Sequence, residues 1–118
     1  MILKPLIKNV LVYQGTTLML EFMWGVPGYP LESGCIVNMQ IRPTIQSDIV
    51  ICEASTTNNK IFIHVIERLI EIRIPAEETA EFSFDKAVYD IEIEFPNGVV
   101  FRPVQGSVSL SLEVTRIV

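Results

Sequence analysis

The sequence predicts an all-β protein, an antiparallel β-sandwich of about seven to nine short strands with one short helical turn near residues 75–81. Three observations carry that expectation. Apolar residues recur at every second position through most of the chain, the period of a strand with one buried face. Clusters of Gly, Pro, Asn and Ser punctuate the alternation at nearly regular intervals. Ile and Val dominate an apolar fraction of 49%, and branched side chains suit a pleated, half-buried surface. With 118 residues the chain has the size of one domain. Residues 1–118 are therefore expected to form a single sandwich, with 1–12 as either an N-terminal arm or an edge strand.

Leu3–Val12 supplies that first strand or arm, and Pro5 confines its start to an edge. Thr17–Trp24 places Leu18, Leu20, Phe22 and Trp24 on one face and Met19, Glu21 and Met23 on the other. Gly25 to Pro30 is loop. Cys35–Ile41 resumes the alternation with Val37, Met39 and Ile41 inward, and Pro43 ends it. Asp48–Ala54 is the next strand. A polar turn at Ser55–Asn59 leads into Lys60–Val65, and a break near Glu67 and Arg68 precedes a strand at Leu69–Ile74. Pro75 followed by Glu77 and Glu78 has the form of a helix start, since proline suits the first turn and acids complement the dipole. Tyr89, Ile91, Ile93 and Phe95 alternate with Asp90, Glu92 and Glu94. Asn97-Gly98 then closes a hairpin, Val99–Val104 returns, and Val108, Leu110, Leu112 and Val114 form a last strand after Gly106.

A net charge of −5 and a pI near 4.8 argue against a nucleic-acid groove, which needs clustered Lys and Arg. They argue equally against docking on an anionic membrane. No window reaches the roughly 18 apolar residues of a membrane helix, and the N-terminus lacks a signal-peptide pattern. The chain is thus expected to be made in the cytoplasm. Cys35 and Cys52 are expected as free thiols acting as small core hydrophobes, because no CxxC pair or second histidine accompanies them.

No residue pattern calls for catalysis, a cofactor or a small-molecule substrate. His64, the single histidine, sits amid Ile61, Phe62, Ile63 and Val65 and is expected as a satisfied strand residue. Nine of the 14 carboxylates lie between Glu67 and Glu94. Asp90, Glu92 and Glu94 share one strand face about 7 Å apart, too spread for a cation loop; an acidic face of this kind discourages edge pairing. Trp24 is expected in the core, and Asn97 and Gly98 in the turn. Asp85-x-Ala87-x-Tyr89 resembles the tyrosine corner of immunoglobulin-like sandwiches, in which the phenol returns to an upstream backbone group and pins a crossover. The second face of a strand apolar on both sides covers a helix or another sheet of the same chain, or another protein. Met19, Met23, Val50 and Cys52 are the expected partner-contact residues on this ground.

Four stretches in chain order carry a wider resemblance. Tyr13-Gln14-Gly15-Thr16-Thr17-Leu18 runs on to Phe22-Met23-Trp24; Val37-Asn38-Met39-Gln40-Ile41-Arg42-Pro43 follows; then Ile74-Pro75-Ala76-Glu77-Glu78-Thr79-Ala80. Tyr89-Asp90-Ile91-Glu92-Ile93, the Pro-Asn-Gly turn, Val104-Gln105-Gly106-Ser107-Val108 and Glu113-Val114-Thr115-Arg116 close the series. Together they resemble a family of small β-sandwich proteins encoded among the structural genes of tailed bacteriophages. The resemblance implies a non-enzymatic virion component at the tail, baseplate, fibre attachment or neck, packed against other virion proteins or copies of itself. A capsid decoration protein, or an acidic β-domain occupying a basic regulatory partner, are the alternatives. The resemblance implies no catalytic residues.

Overall fold

The computed structural model describes residues 3–116; Met1 and Ile2, the start of the expected arm, lie outside the described residues. Its strands are β1 (Leu6–Ile7), β2 (Val10–Tyr13), β3 (Leu18–Met23), β4 (Ile36–Arg42), β5 (Cys52–Ser55), β6 (Ile61–His64), β7 (Leu69–Ile74), β8 (Lys86–Glu94) and β9 (Val100–Ser111). One helical turn, α1 (Ala76–Thr79), follows β7. The strands form two sheets. The larger runs β1-β9-β8-β4-β5, with β2 also on β9, and the smaller runs β3-β7-β6. The neighbour orders β4-β8-β9 and β3-β7-β6 are those of an immunoglobulin-like sandwich. The all-β class is as the sequence predicts.

Alternation explains why the layers close. β7 turns Ile70, Ile72 and Ile74 inward, β4 turns Val37, Met39 and Ile41, and β8 turns Tyr89, Ile91 and Ile93. These meet in one continuous buried cluster that also takes Val10 and Val12 of β2. Trp24 anchors one end. Its indole Nε1 donates to the Tyr29 carbonyl at 2.6 Å, and its ring lies 5.6 Å from Phe95 and 5.8 Å from Phe101.

The other end is bolted by the β2–β3 turn. Gln14 Nε2 donates to the Phe82 carbonyl at 2.9 Å, and Gln14 Oε1 accepts from the Glu113 amide at 3.1 Å. The Gly15 amide donates to Thr79 Oγ1, whose hydroxyl in turn donates to the Thr16 carbonyl at 2.7 Å. The Gln-Gly pair of the sequence is thus a clamp between turn, helix and chain end.

Several elements differ from expectation. The N-terminal strands pair in parallel with β9, whereas an antiparallel sandwich was expected throughout. Asp48–Ala54 is strand only from Cys52, because Arg42 Nη1 donates to the Ser47 carbonyl at 2.6 Å and holds the preceding segment as a loop. The two expected C-terminal strands are one, β9, which absorbs Pro103 where its register with β8 shifts, a bulge site that tolerates the missing amide. That strand stops at Ser111, leaving Leu112 and Val114 exposed. The Asn97-Gly98 hairpin is where it was expected, with Pro96, Asn97 and Gly98 as its loop. Gly98 donates to the Phe95 carbonyl at 2.9 Å, and the loop closes through Gly98 at φ 88°, a region glycine enters freely.

Tyr89 also departs from the local corner. Its hydroxyl donates to the carbonyl of Lys8, 81 residues upstream, at 2.6 Å. It therefore pins the N-terminal strand to the sheet instead of tying a crossover within a few residues.

Candidate interaction surfaces

Each sheet has an outer face, and the two differ in chemistry. On the smaller sheet, β3 pairs with β7 without a register shift, so Met19 opposes Arg73, Glu21 opposes Glu71, and Met23 opposes Leu69. On the far side Phe62 opposes Glu71 and His64 opposes Leu69. At the centre of this face Glu71 is buried. Its Oε1 accepts from His64 Nε2 at 3.0 Å and its Oε2 from Arg73 Nη2 at 2.6 Å. The Arg73 guanidinium also lies 5.9 Å from the centre of the Phe62 ring, within cation–π range. Around this polar knot Met19 is 52% exposed and Met23 68%, with Phe62 also exposed.

The hydrogen bond from His64, then that from Arg73, holds the Glu71 carboxyl below its ordinary value of 4.5, against the opposing effect of partial burial. A carboxylate with a lowered native value stabilises the fold above 4.5, and that contribution is lost as pH falls through the native value. Glu71→Gln is therefore expected to reduce stability at neutral pH and to narrow the gap to the parent as pH drops below 4.5. Denaturant midpoints measured across that acid range check this; a gap independent of pH would mean the pair does not couple to folding.

The larger sheet's outer face is polar. A shallow concavity of about 650 Å3 crosses it, walled by Ile7 of β1 and Ile45 of the loop after β4 and floored by Gln40, Asp90, Arg102 and Gln105 among others. Most of its polar groups satisfy one another. Arg42 Nε and Nη2 donate to Gln40 Oε1 at 3.0 and 2.8 Å, and Arg102 reaches Asp90 at 3.4 Å and Glu92 at 3.6 Å. Asp90, Glu92 and Glu94 lie on β8, which has neighbours on both sides, so they do not guard an edge as expected.

Of the four expected contact residues, Met19 and Met23 share the smaller sheet's outer face. Val50 is exposed in the loop before β5, away from them in the chain. Cys52 is 4% exposed and belongs to the core, the place expected of it as a free thiol; its expected place on a contact surface is the part corrected. Because Val50, Ile51 and Cys52 are all apolar, period two cannot say which of them turns inward. The Cys52 thiol donates to Glu78 Oε1 at 3.2 Å, and Lys60 Nζ pairs with the same carboxylate at 2.6 Å. Burial, with the adjacent Glu78, pushes this thiol up to about 12. Cys35 is also buried, and neither cysteine is in a disulfide. Asn97 and Gly98 sit in the hairpin turn and Trp24 in the core.

Sequence reasoning missed the Glu71 knot and Phe62. The alternation of Phe62 with His64, and of Glu71 with Arg73, was the available signal, since it puts all four on one side. Among the described residues no group of three or more His, Cys, Asp or Glu side chains is placed to hold a metal ion, and no helix is long and apolar enough to cross a membrane. The sequence matches no protein-family model and no curated protein.

Proposed function

We propose that this chain is a non-enzymatic assembly domain that packs a sheet face against neighbouring subunits, and that its setting is the virion of a tailed bacteriophage. One observation carries the assembly reading. The smaller sheet has the core on one side and, among the described residues, no element packed on the other, and that outer face presents Met19, Met23 and Phe62 to solvent. Exposed methionine and aromatic side chains around a rigid polar centre have the make-up of a contact patch, an apolar anchor set beside groups that fix orientation. The phage setting is supported by the ordered sequence resemblance, and it makes cytoplasmic synthesis followed by incorporation into particles the expected course.

The test is mass spectrometry of purified particles from an infected host. A fixed copy number is expected, and the double variant Met19→Lys, Met23→Lys should fold yet fail to incorporate. Recovery of the parent protein only from the soluble lysate would overturn the virion setting. Unchanged incorporation of the double variant would overturn the face.

A further inference from the structure

The smaller sheet has a second unmatched feature, its β3 edge. Because the N-terminal strands join β9, no strand among the described residues lies beside β3 on the side away from β7. β3 is six residues of unbroken pairing, Leu18–Met23, with no proline, lysine or bulge. Other edges are blunted. β5 and β6 have four residues each, and Asn58 Nδ2 already occupies the Glu53 carbonyl of β5. The β1–β2 edge is interrupted at Lys8 and Asn9. An edge strand of this length without proline, lysine or bulge is a template for strand addition.

Side chains along this edge specify what would fit. Outward, Met19 and Met23 flank Glu21. Glu21 faces Glu71, whose oxygens are taken by His64 and Arg73, and among the described residues Glu21 forms no ion pair. Inward, Leu20 and Phe22 are only partly buried. The matching strand therefore reads apolar, basic, apolar at alternate outward positions, with β-branched or apolar residues between.

The chain carries that pattern once it leaves β9. Val114-Thr115-Arg116-Ile117-Val118 has Val114, Arg116 and Val118 at alternate positions, and four of its five residues are β-branched. Val114 is 92% exposed, and Thr115 and Arg116 are exposed and outside any strand. We infer that residues 114–118 of one copy add to the β3 edge of a second copy, setting Arg116 opposite Glu21. In the antiparallel sense Val114 then lies beside Met23 and Thr115 beside Phe22. Donor segment and acceptor edge are different surfaces, so the contact is heterologous and builds chains or rings rather than a closed two-fold dimer. The inference does not depend on the particle in which the domain works.

Sedimentation of the purified protein over a concentration series tests it. Self-association beyond a dimer is expected. Glu21→Arg, and separately Arg116→Glu, should each weaken it roughly tenfold, since a favourable cross-strand pair becomes a like-charge pair. The combined Glu21→Arg, Arg116→Glu variant should restore it. Both positions are exposed, and an unchanged circular dichroism spectrum verifies folding of each variant. A monomer at every concentration would overturn the inference, as would self-association that survives removal of residues 114–118. Protection of the β3 amides from exchange that is independent of concentration would instead place the segment on its own copy, and would equally overturn it.

Discussion

Trp24→Ala is expected to lower stability by about 3–5 kcal/mol, the range for emptying a buried large aromatic site. Trp24 is the single tryptophan of the chain and is buried just beyond β3. Its ring stands against Phe95 and Phe101, which Tyr29 joins from the loop at 5.2 and 5.0 Å. Four aromatic rings therefore close one end of the sandwich, drawn from the loop after β3, the end of β8 and the start of β9. Removing one leaves a cavity that three rigid rings cannot fill without leaving their rotamers. It also strands the Tyr29 carbonyl, which has the indole N–H as a donor at 2.6 Å. Trp24→Phe keeps much of the apolar volume and loses that hydrogen bond, so its cost should be smaller. Urea unfolding followed by far-ultraviolet circular dichroism measures both variants. A loss below about 1 kcal/mol for Trp24→Ala would mean that the cluster is a surface cap rather than core.

How much of this was readable in advance depended on whether local pattern or distant contact decides an element. β3, β4, β7 and β8 were legible because each has one apolar face and one mixed face, and period two then fixes which side is buried. The break at Glu67 and Arg68 was legible for a related reason. Val65 to Arg68 makes a turn in which Arg68 adopts φ 56°, and the isoleucines resume alternation only at Leu69. Val50, Ile51 and Cys52 were not legible, since all three are apolar and a slip of one residue reverses the faces. Glu71 was hidden for the opposite reason. Its place between Ile70 and Ile72 looks like any solvent-facing position, and only the folding of β6 beside β7 brings His64 to it. Of the expected contact surface, Met19 and Met23 were readable from their own strand, but their neighbour Phe62 came from another. The partner of β2 was the least accessible. Val10 and Val12 announce a strand but do not say whether it joins β3 or β9.

That choice is made at Gly106, and Gly106→Ala is expected to cost about 2–4 kcal/mol, the sum of three displaced hydrogen bonds. Gly106 pairs with Tyr89 in the β8–β9 ladder. A Cβ added there would overlap the Lys8 carbonyl oxygen and lie 2.7 Å from its carbon, both backbone atoms that have no rotamer to escape into. The link between β1 and β2 would have to lift away. The bond from the Tyr89 hydroxyl to the Lys8 carbonyl would break, with those from the Lys8 amide to the Gln105 carbonyl and from the Ser107 amide to Asn9 Oδ1. Tyr89 itself supplies a readout that a general loss of stability would not. Burial pushes its phenol from an ordinary 10 up to about 12. A native value raised in this way stabilises the fold fully below 10, and the contribution is lost as pH rises from 10 to about 12. In Gly106→Ala the phenol meets water, so its absorbance titration should move back from about 12 towards 10. Amide exchange should accelerate at Lys8 and Ser107 first. If the variant kept the high tyrosine titration and the slow exchange at both amides, the contact between Gly106 and Lys8 would not be what places the N-terminal strand on β9.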